Sequence, residues 1–143
     1  MTQVKMVDVI CPKCQNEQEV KVYDALNVTL NPAEKATLFE GQINVFDCDV
    51  CGYKALLAVP FLYHDMERAF CVYYFPAEFV EDDDFIRNWV QADGKLRLPQ
   101  VSGGQLPAYM AEAQIVFSMQ ELLNYVVFRQ RLIDFHRQTD ETE

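Results

Sequence analysis

The sequence predicts an α+β fold: a front half built on two paired-cysteine turns with a short helix inserted between them, continuous with an antiparallel β-sheet on which a long C-terminal helix packs. Three observations carry this expectation. The stretch CPKC at 11–14 returns, thirty-three residues later, as CDVC at 48–51, and each pair lies between strand-like segments. Apolar runs rich in β-branched and aromatic residues recur between Ile43 and Phe75. From Ser118 onward, apolar residues fall at helical spacing behind a Ser-x-x-Glu start signal. The chain has 143 residues, half of them hydrophobic, which suits one domain with a real core.

The elements follow in order. Residues 3–10 read as a strand entering the first cysteine pair, and Glu19–Tyr23 alternates polar and apolar residues as a half-buried strand does. Asn31 is a good N-cap, Pro32 suits the first helical position and Glu34 completes a capping-box-like pair. Gly41 fits a left-handed stop, so a helix is expected over about 32–40. Ile43–Phe46 is a short strand into the second pair, Tyr53–Tyr63 a strand leaving it, and Ala69–Phe75 a more central strand ended by Pro76. The acidic run Glu81–Asp84 opens a short helix over 82–92 closed by Gly94; the rival is a hairpin turning at Asp93-Gly94 with Lys95–Leu98 as its second strand. Gln100–Pro107 is a loop and Ala108–Phe117 a strand. Ser118 and Glu121 then cap a helix over about 119–137, with Met119, Leu122, Leu123, Val126, Val127 and Ile133 near one face and Arg129, Arg131 and Arg137 towards the end that favours cations.

Charge limits the partners. The formal net charge is −10, with 5 Lys and Arg against 8 Asp and Glu in 1–62, and 7 against 14 in 63–143. Affinity for nucleic acid rests on neutralising phosphates, so that partner is disfavoured; a basic face would have to gather Lys13, Lys21 and Lys54. The longest apolar run, Ala55–Tyr63, contains a proline and is too short to span a bilayer, so no membrane association is expected. The first residues show no basic-then-apolar leader pattern, and the expected compartment is the cytoplasm.

In such a setting five cysteines point away from a disulfide framework. Zinc prefers a tetrahedron of soft or borderline ligands, and each Cys-x-x-Cys turn supplies two thiolates from one bend. Cys11, Cys14, Cys48 and Cys51 are therefore expected to hold one structural zinc per chain, in a zinc ribbon whose long insert contains a strand and the helix at 32–40. Pro12 stiffens the first turn and Gly52 frees the backbone of the second. Four-cysteine zinc signatures commonly leave about 15–20 residues between pairs, but the extra loop closure costs less than ~1 kcal/mol, against roughly 10–16 kcal/mol for structural zinc. A redox dithiol would want a helix directly after its cysteines; a catalytic zinc would leave a position open. An iron–sulfur cluster could use the same four sulfurs, and thiolates alone do not separate zinc from iron.

Other polar residues carry weaker signals. His64-Asp65 could orient an imidazole for acid–base work in a cleft, or Asp65 could cap a strand-end turn, the blander reading. Cys71 reads as a small buried hydrophobe. His136 near the end of the last helix is simply compatible with its dipole. The acidic run at 81–84 lacks the spaced oxygens of a calcium site.

The segments Cys11-Pro12-Lys13-Cys14, Asn27–Pro32 before a short helix, Asn44-Val45-Phe46-x-Cys48-x-x-Cys51-Gly52-Tyr53, Leu62–Asp65 and, more weakly, Ile115–Leu123 together resemble the bacterial and archaeal CpXC domain family. Asp49 stands where a second proline would be, which alters turn stiffness rather than metal capacity. The resemblance implies a prokaryotic cytoplasmic protein with a four-cysteine site; it supplies no activity. The expectation is a single domain over 1–143, with a zinc-ribbon part at 1–62, sheet and helix at 63–138 and a disordered tail at 139–143. Its expected role is a non-enzymatic zinc-binding module that recognises a protein. The alternatives are an enzyme or enzyme accessory with a cleft near His64 and Asp65, and a nucleic-acid-binding ribbon.

Overall fold

In the computed structural model, which describes residues 2–94, 109–110 and 113–141, β1 (Gln3–Ile10) and β2 (Glu17–Asn27) form an antiparallel hairpin in which Met6 faces Lys21 and Ile10 faces Glu17. β2 runs well beyond the expected 19–23. Its outer part alternates exposed and buried positions, whereas Ala25, Leu26 and Asn27 are all buried. Those three residues enter the main sheet, where they pair with Leu62, Tyr63 and His64.

α1 (Pro32–Phe39) starts at a proline, as expected, and stops at Gly41 (φ +75°), whose N–H reaches Leu38 O at 3.0 Å. The expected side-chain cap does not form. Asn31 Oδ1 accepts instead from Thr2 Oγ1 (2.6 Å), and Glu34 accepts from Tyr23 Oη (2.5 Å). Tertiary partners outcompete the local amides.

The single strand expected over Tyr53–Tyr63 is two. β4 (Lys54–Leu56) forms a small hairpin with β3 (Val45–Asp47), and β5 (Phe61–Asp65) belongs to the main sheet. Pro60 lies between them, and a residue without an N–H interrupts a ladder. β6 (Phe70–Tyr74) pairs antiparallel with β5. A 3-10 helix (Ala77–Glu81) leads to α2 (Asp83–Trp89), so the helix prevails over the hairpin at this point. Asp82 caps it by accepting from the amides of Asp84 (3.0 Å) and Phe85 (3.3 Å). It ends before Gly94. The hairpin strand weighed at 95–98 and the loop at 100–107 lie outside the described residues; of the strand expected over 108–117, only Gln114–Val116 is strand (β7) among the described residues, while Tyr109 and Met110 lie in a 3-10 turn instead.

The main sheet has the order β1-β2-β5-β6-β7 and is mixed, not antiparallel throughout: β2–β5 and β6–β7 run parallel. Parallel neighbours require a crossover. The first contains α1 and the β3–β4 hairpin, and the described part of the second contains the 3-10 helix and α2. α3 (Met119–Glu141) closes the fold, longer than expected. Ser118 Oγ accepts from Glu121 N at 3.0 Å, while the Glu121 carboxylate reaches back to Phe117 N at 3.5 Å rather than to Ser118. Because the helix runs to Glu141, its last turn contains no basic residue, and the arginines are not there to complement its dipole.

Side-chain alternation along β5 and β6 divides the core. Phe61, Tyr63, Phe70, Val72 and Tyr74 face α3, where Leu122 and Val126 are fully buried. Cys71, Phe75 and Ile115 lie on the opposite face with Phe85 from α2. Val127, expected in the buried stripe of α3, is exposed. A third cluster gathers Cys11, Val20, Phe46 and Cys48. Among the described residues, no helix is long and apolar enough to cross a membrane.

Candidate metal centre

The first cysteine pair forms the turn between β1 and β2. Cys11 N–H donates to Asn16 O and Gln15 N–H donates to Cys11 O, both at 2.8 Å. The turn between β3 and β4 repeats the arrangement: Cys48 N–H donates to Tyr53 O (2.8 Å) and Gly52 N–H to Cys48 O (3.0 Å). In each, the residue after the second cysteine is left-handed, Gln15 at φ +64° and Gly52 at φ +76°. The glycine suits that region; the glutamine adopts it at a cost of about 1 kcal/mol.

The two turns bring all four Sγ atoms within 4.8 Å of one another. Cys11 Sγ lies 3.6 Å from Cys51 Sγ and Cys14 Sγ 3.5 Å from Cys48 Sγ, so each close pair takes one sulfur from each turn. A disulfide would need ~2.05 Å; the five cysteines are free. A tetrahedral shell with metal–sulfur bonds of ~2.3 Å has edges of ~3.8 Å, close to these separations. The set could hold one metal ion.

The surroundings favour the thiolate at Cys11 and Cys48. Burial pushes the Cys11 thiol up, but the amides of Cys14 and Lys13 (the latter 3.4 Å from Sγ) outweigh it and the net shift is downward. The Cys51 amide, helped by that of Val50 and by the adjacent sulfurs, overcomes burial and brings Cys48 down to about 6. The Asn16 amide lowers Cys14, yet burial and the other three sulfurs push it up to about 12. Cys11 and Cys48 are thus shifted down and Cys14 up, as neighbouring sulfurs that compete for a proton are.

Two polar side chains hold the turns in place. Gln18 Nε2 donates to Asp47 O (2.8 Å), and its Oε1 accepts from Asp49 N (3.0 Å) and Asn16 Nδ2 (3.1 Å). Buried Asn44, at φ +56°, accepts from Tyr23 N (2.7 Å) and donates to Tyr23 O (3.0 Å). It fastens the β3–β4 hairpin to β2 as a strand would. Sequence reasoning missed Asn44; the signal available was an asparagine, a residue that tolerates positive φ, just ahead of a strand.

His64 and Asp65 do not converge. Successive strand residues point to opposite faces, and each has its own partner. Asp65, 1% exposed, accepts from Arg68 N (2.9 Å) and pairs with Arg68 Nη1 (3.1 Å), the turn-capping role. Arg68 Nε and Nη2 also hold Asp134 of α3, at 3.1 and 3.2 Å. His64 Nε2 meets Tyr109 Oη at 2.6 Å, and burial lowers its pKa. Cys71 is buried on the second core face, which pushes its thiol up to about 12. His136 is exposed on α3. Of the lysines that a basic face would have to gather, Lys54 lies 3.6 Å from Asp47 and Lys21 lies over the Tyr23 ring.

No curated protein and no solved structure matches the chain. The family model described as CpXC protein matches residues 9–135, a span that contains both cysteine turns and most of α3. The chain belongs to the CpXC family.

Proposed function

We propose that Cys11, Cys14, Cys48 and Cys51 bind one structural zinc ion in a zinc-ribbon arrangement, and that the chain is a non-enzymatic module that recognises a protein partner. The observation that carries the metal reading is the repeated turn: two hairpins with the same backbone hydrogen bonds deliver four sulfurs to within 4.8 Å of one another. Four sulfurs close a tetrahedral shell and leave no position for substrate, which favours a structural role over a catalytic one. Zinc fits better than iron because it imposes no geometry of its own and undergoes no redox change.

The partner reading is supported by α3. Its buried stripe packs on the sheet, while Phe128, Leu132 and Phe135, 59%, 39% and 52% exposed, form a second stripe at positions i, i+4 and i+7. Such a stripe is a surface that helices and grooves recognise. Nucleic acid remains the disfavoured partner, given a net charge of −10.

Native mass spectrometry before and after a strong chelator, with circular dichroism of both samples, tests the metal. The expected result is one zinc per chain and loss of ordered structure in the front half on its removal. A metal-free protein with unchanged structure and reactive thiols would overturn the proposal and favour a redox dithiol.

A further inference from the structure

β1 is the long edge of the main sheet. It pairs with β2 along its whole length and, among the described residues, with no other strand. An open row of N–H and C=O groups templates another strand, so edges are commonly kept short or guarded by proline, a bulge or an outward lysine. β1 has eight residues and no proline. Its bulge sits at one end, between Gln3 and Val4, and its one lysine, Lys5, is drawn back across the ladder to Asp24 of β2 at 3.4 Å. Four of its apolar side chains are open to solvent: Val4 at 44%, Met6 at 57%, Val7 at 36% and Ile10 at 63%.

The ladder fixes which backbone groups face outward. Cys11 N–H donates to Asn16 O at the hairpin end, and along an antiparallel pair the residues that exchange bonds alternate with those that do not. Counting back from Cys11, the residues Val9, Val7 and Lys5 bond to β2, while Ile10, Asp8, Met6 and Val4 turn their N–H and C=O away from it. That outward set is spaced evenly about Val7. A two-fold axis normal to the sheet at Val7 sets Val4 opposite Ile10 and Met6 opposite Asp8 of a second copy, and every outward group of the set is matched. The same axis sets Val7 against Val7.

Charge suits the same occupant. With a net charge of −10, two copies repel over most of their surfaces. β1 holds one lysine and one aspartate and is neutral, so like copies meet there with the least repulsion. A strand from another protein would use the same row, but the even spacing about Val7 and the neutral charge fit a second copy better.

We infer that β1 is a self-association edge: two copies join antiparallel, β1 to β1, about a two-fold axis at Val7, and their main sheets become one continuous sheet. Val4 and Ile10 pack across the joint on one face. The paired Val7 side chains pack on the other, the face on which Val9 meets the cluster around Cys11 and Cys48.

Sedimentation equilibrium of the full chain as purified, from about 1 to about 100 µM, tests the association; a dimer with a dissociation constant on the order of 10 µM is expected. Backbone amide exchange of the unaltered protein then locates the joint. At the high concentration the amides of Met6, Asp8 and Ile10 should exchange several-fold more slowly than at the low one, and those of Val7 and Val9, already bonded to β2, should not change. Ile10→Lys, at an exposed position, should raise the dissociation constant about 10-fold or more. Met6→Pro removes an outward N–H without touching the β2 ladder and should abolish association. The amide measurement needs no variant, so it decides the matter even if one misfolds. A monomer at every concentration, or a dimer whose Met6, Asp8 and Ile10 amides exchange as fast as in the monomer, would overturn the proposal.

Discussion

Asn44 satisfies with one side chain a stretch of backbone that no neighbouring strand covers. Replacing it with alanine leaves the N–H and C=O of buried Tyr23 without partners. At about 1–3 kcal/mol for each unmet group, Asn44→Ala should lower stability by roughly 2–6 kcal/mol in urea unfolding, and Asn44→Asp should not restore it at neutral pH, because its second oxygen would face the Tyr23 carbonyl. The contrast with the cysteines shows what a sequence discloses at this scale. Cys-x-x-Cys is legible because four consecutive residues make the turn. The Asn44–Tyr23 clasp spans twenty-one residues and leaves no local trace. Asn31 and Glu34 mislead for the same reason: their spacing suits a capping box, but Thr2 and Tyr23, distant in sequence, claim both side chains.

Among the elements, α3 has two apolar stripes, and periodicity alone does not reveal which one faces inward. Leu122 is fully buried and Leu132 is 39% exposed. Leu122→Ala should cost about 2–5 kcal/mol, while Leu132→Ala should stay within about 0.5 kcal/mol, the range of ordinary surface changes; thermal melts of the two variants check the orientation. Strand existence was legible from apolar runs, and the stops at Gly41 and Pro60 explain where elements end. The parallel pairings were not legible. They depend on crossovers that set β5 beside β2 and β7 beside β6, and nothing in the pattern of a single strand announces its neighbour.

For the molecule as a whole, acid should weaken the fold in two stages. Burial lowers the pKa of His64, so below about 6.5 the unfolded chain takes up a proton that the folded chain resists. Stability therefore falls as pH drops from 7 through that window, and His64→Gln should flatten this part of the curve. Asp134 is held below the usual carboxylate range chiefly by its hydrogen bonds to Arg68. What it contributes is present above the ordinary Asp value of about 3.9 and is lost as pH falls through its lowered one, further down the scale. Denaturant midpoints measured from pH 7 to pH 3 separate the two steps.

Among the described residues the β1–β2 hairpin joins the rest of the sheet only through Ala25, Leu26 and Asn27, and every residue of β1 is exposed except Val9, which is partly so. Mechanically it is a cantilever. Its root is in the core, and its free tip holds Cys11 and Cys14 about 30 Å away at ~3.3 Å per residue. A beam clamped at the root deflects most at its tip, and a prop placed there restrains more motion than one placed anywhere else along its length. The β3–β4 hairpin supplies that prop through Cys48 and Cys51, with Gln18 and Asn44 as struts nearer the root. Loosening the four sulfurs would then be felt along the whole of β1 and β2, including residues that never touch a cysteine.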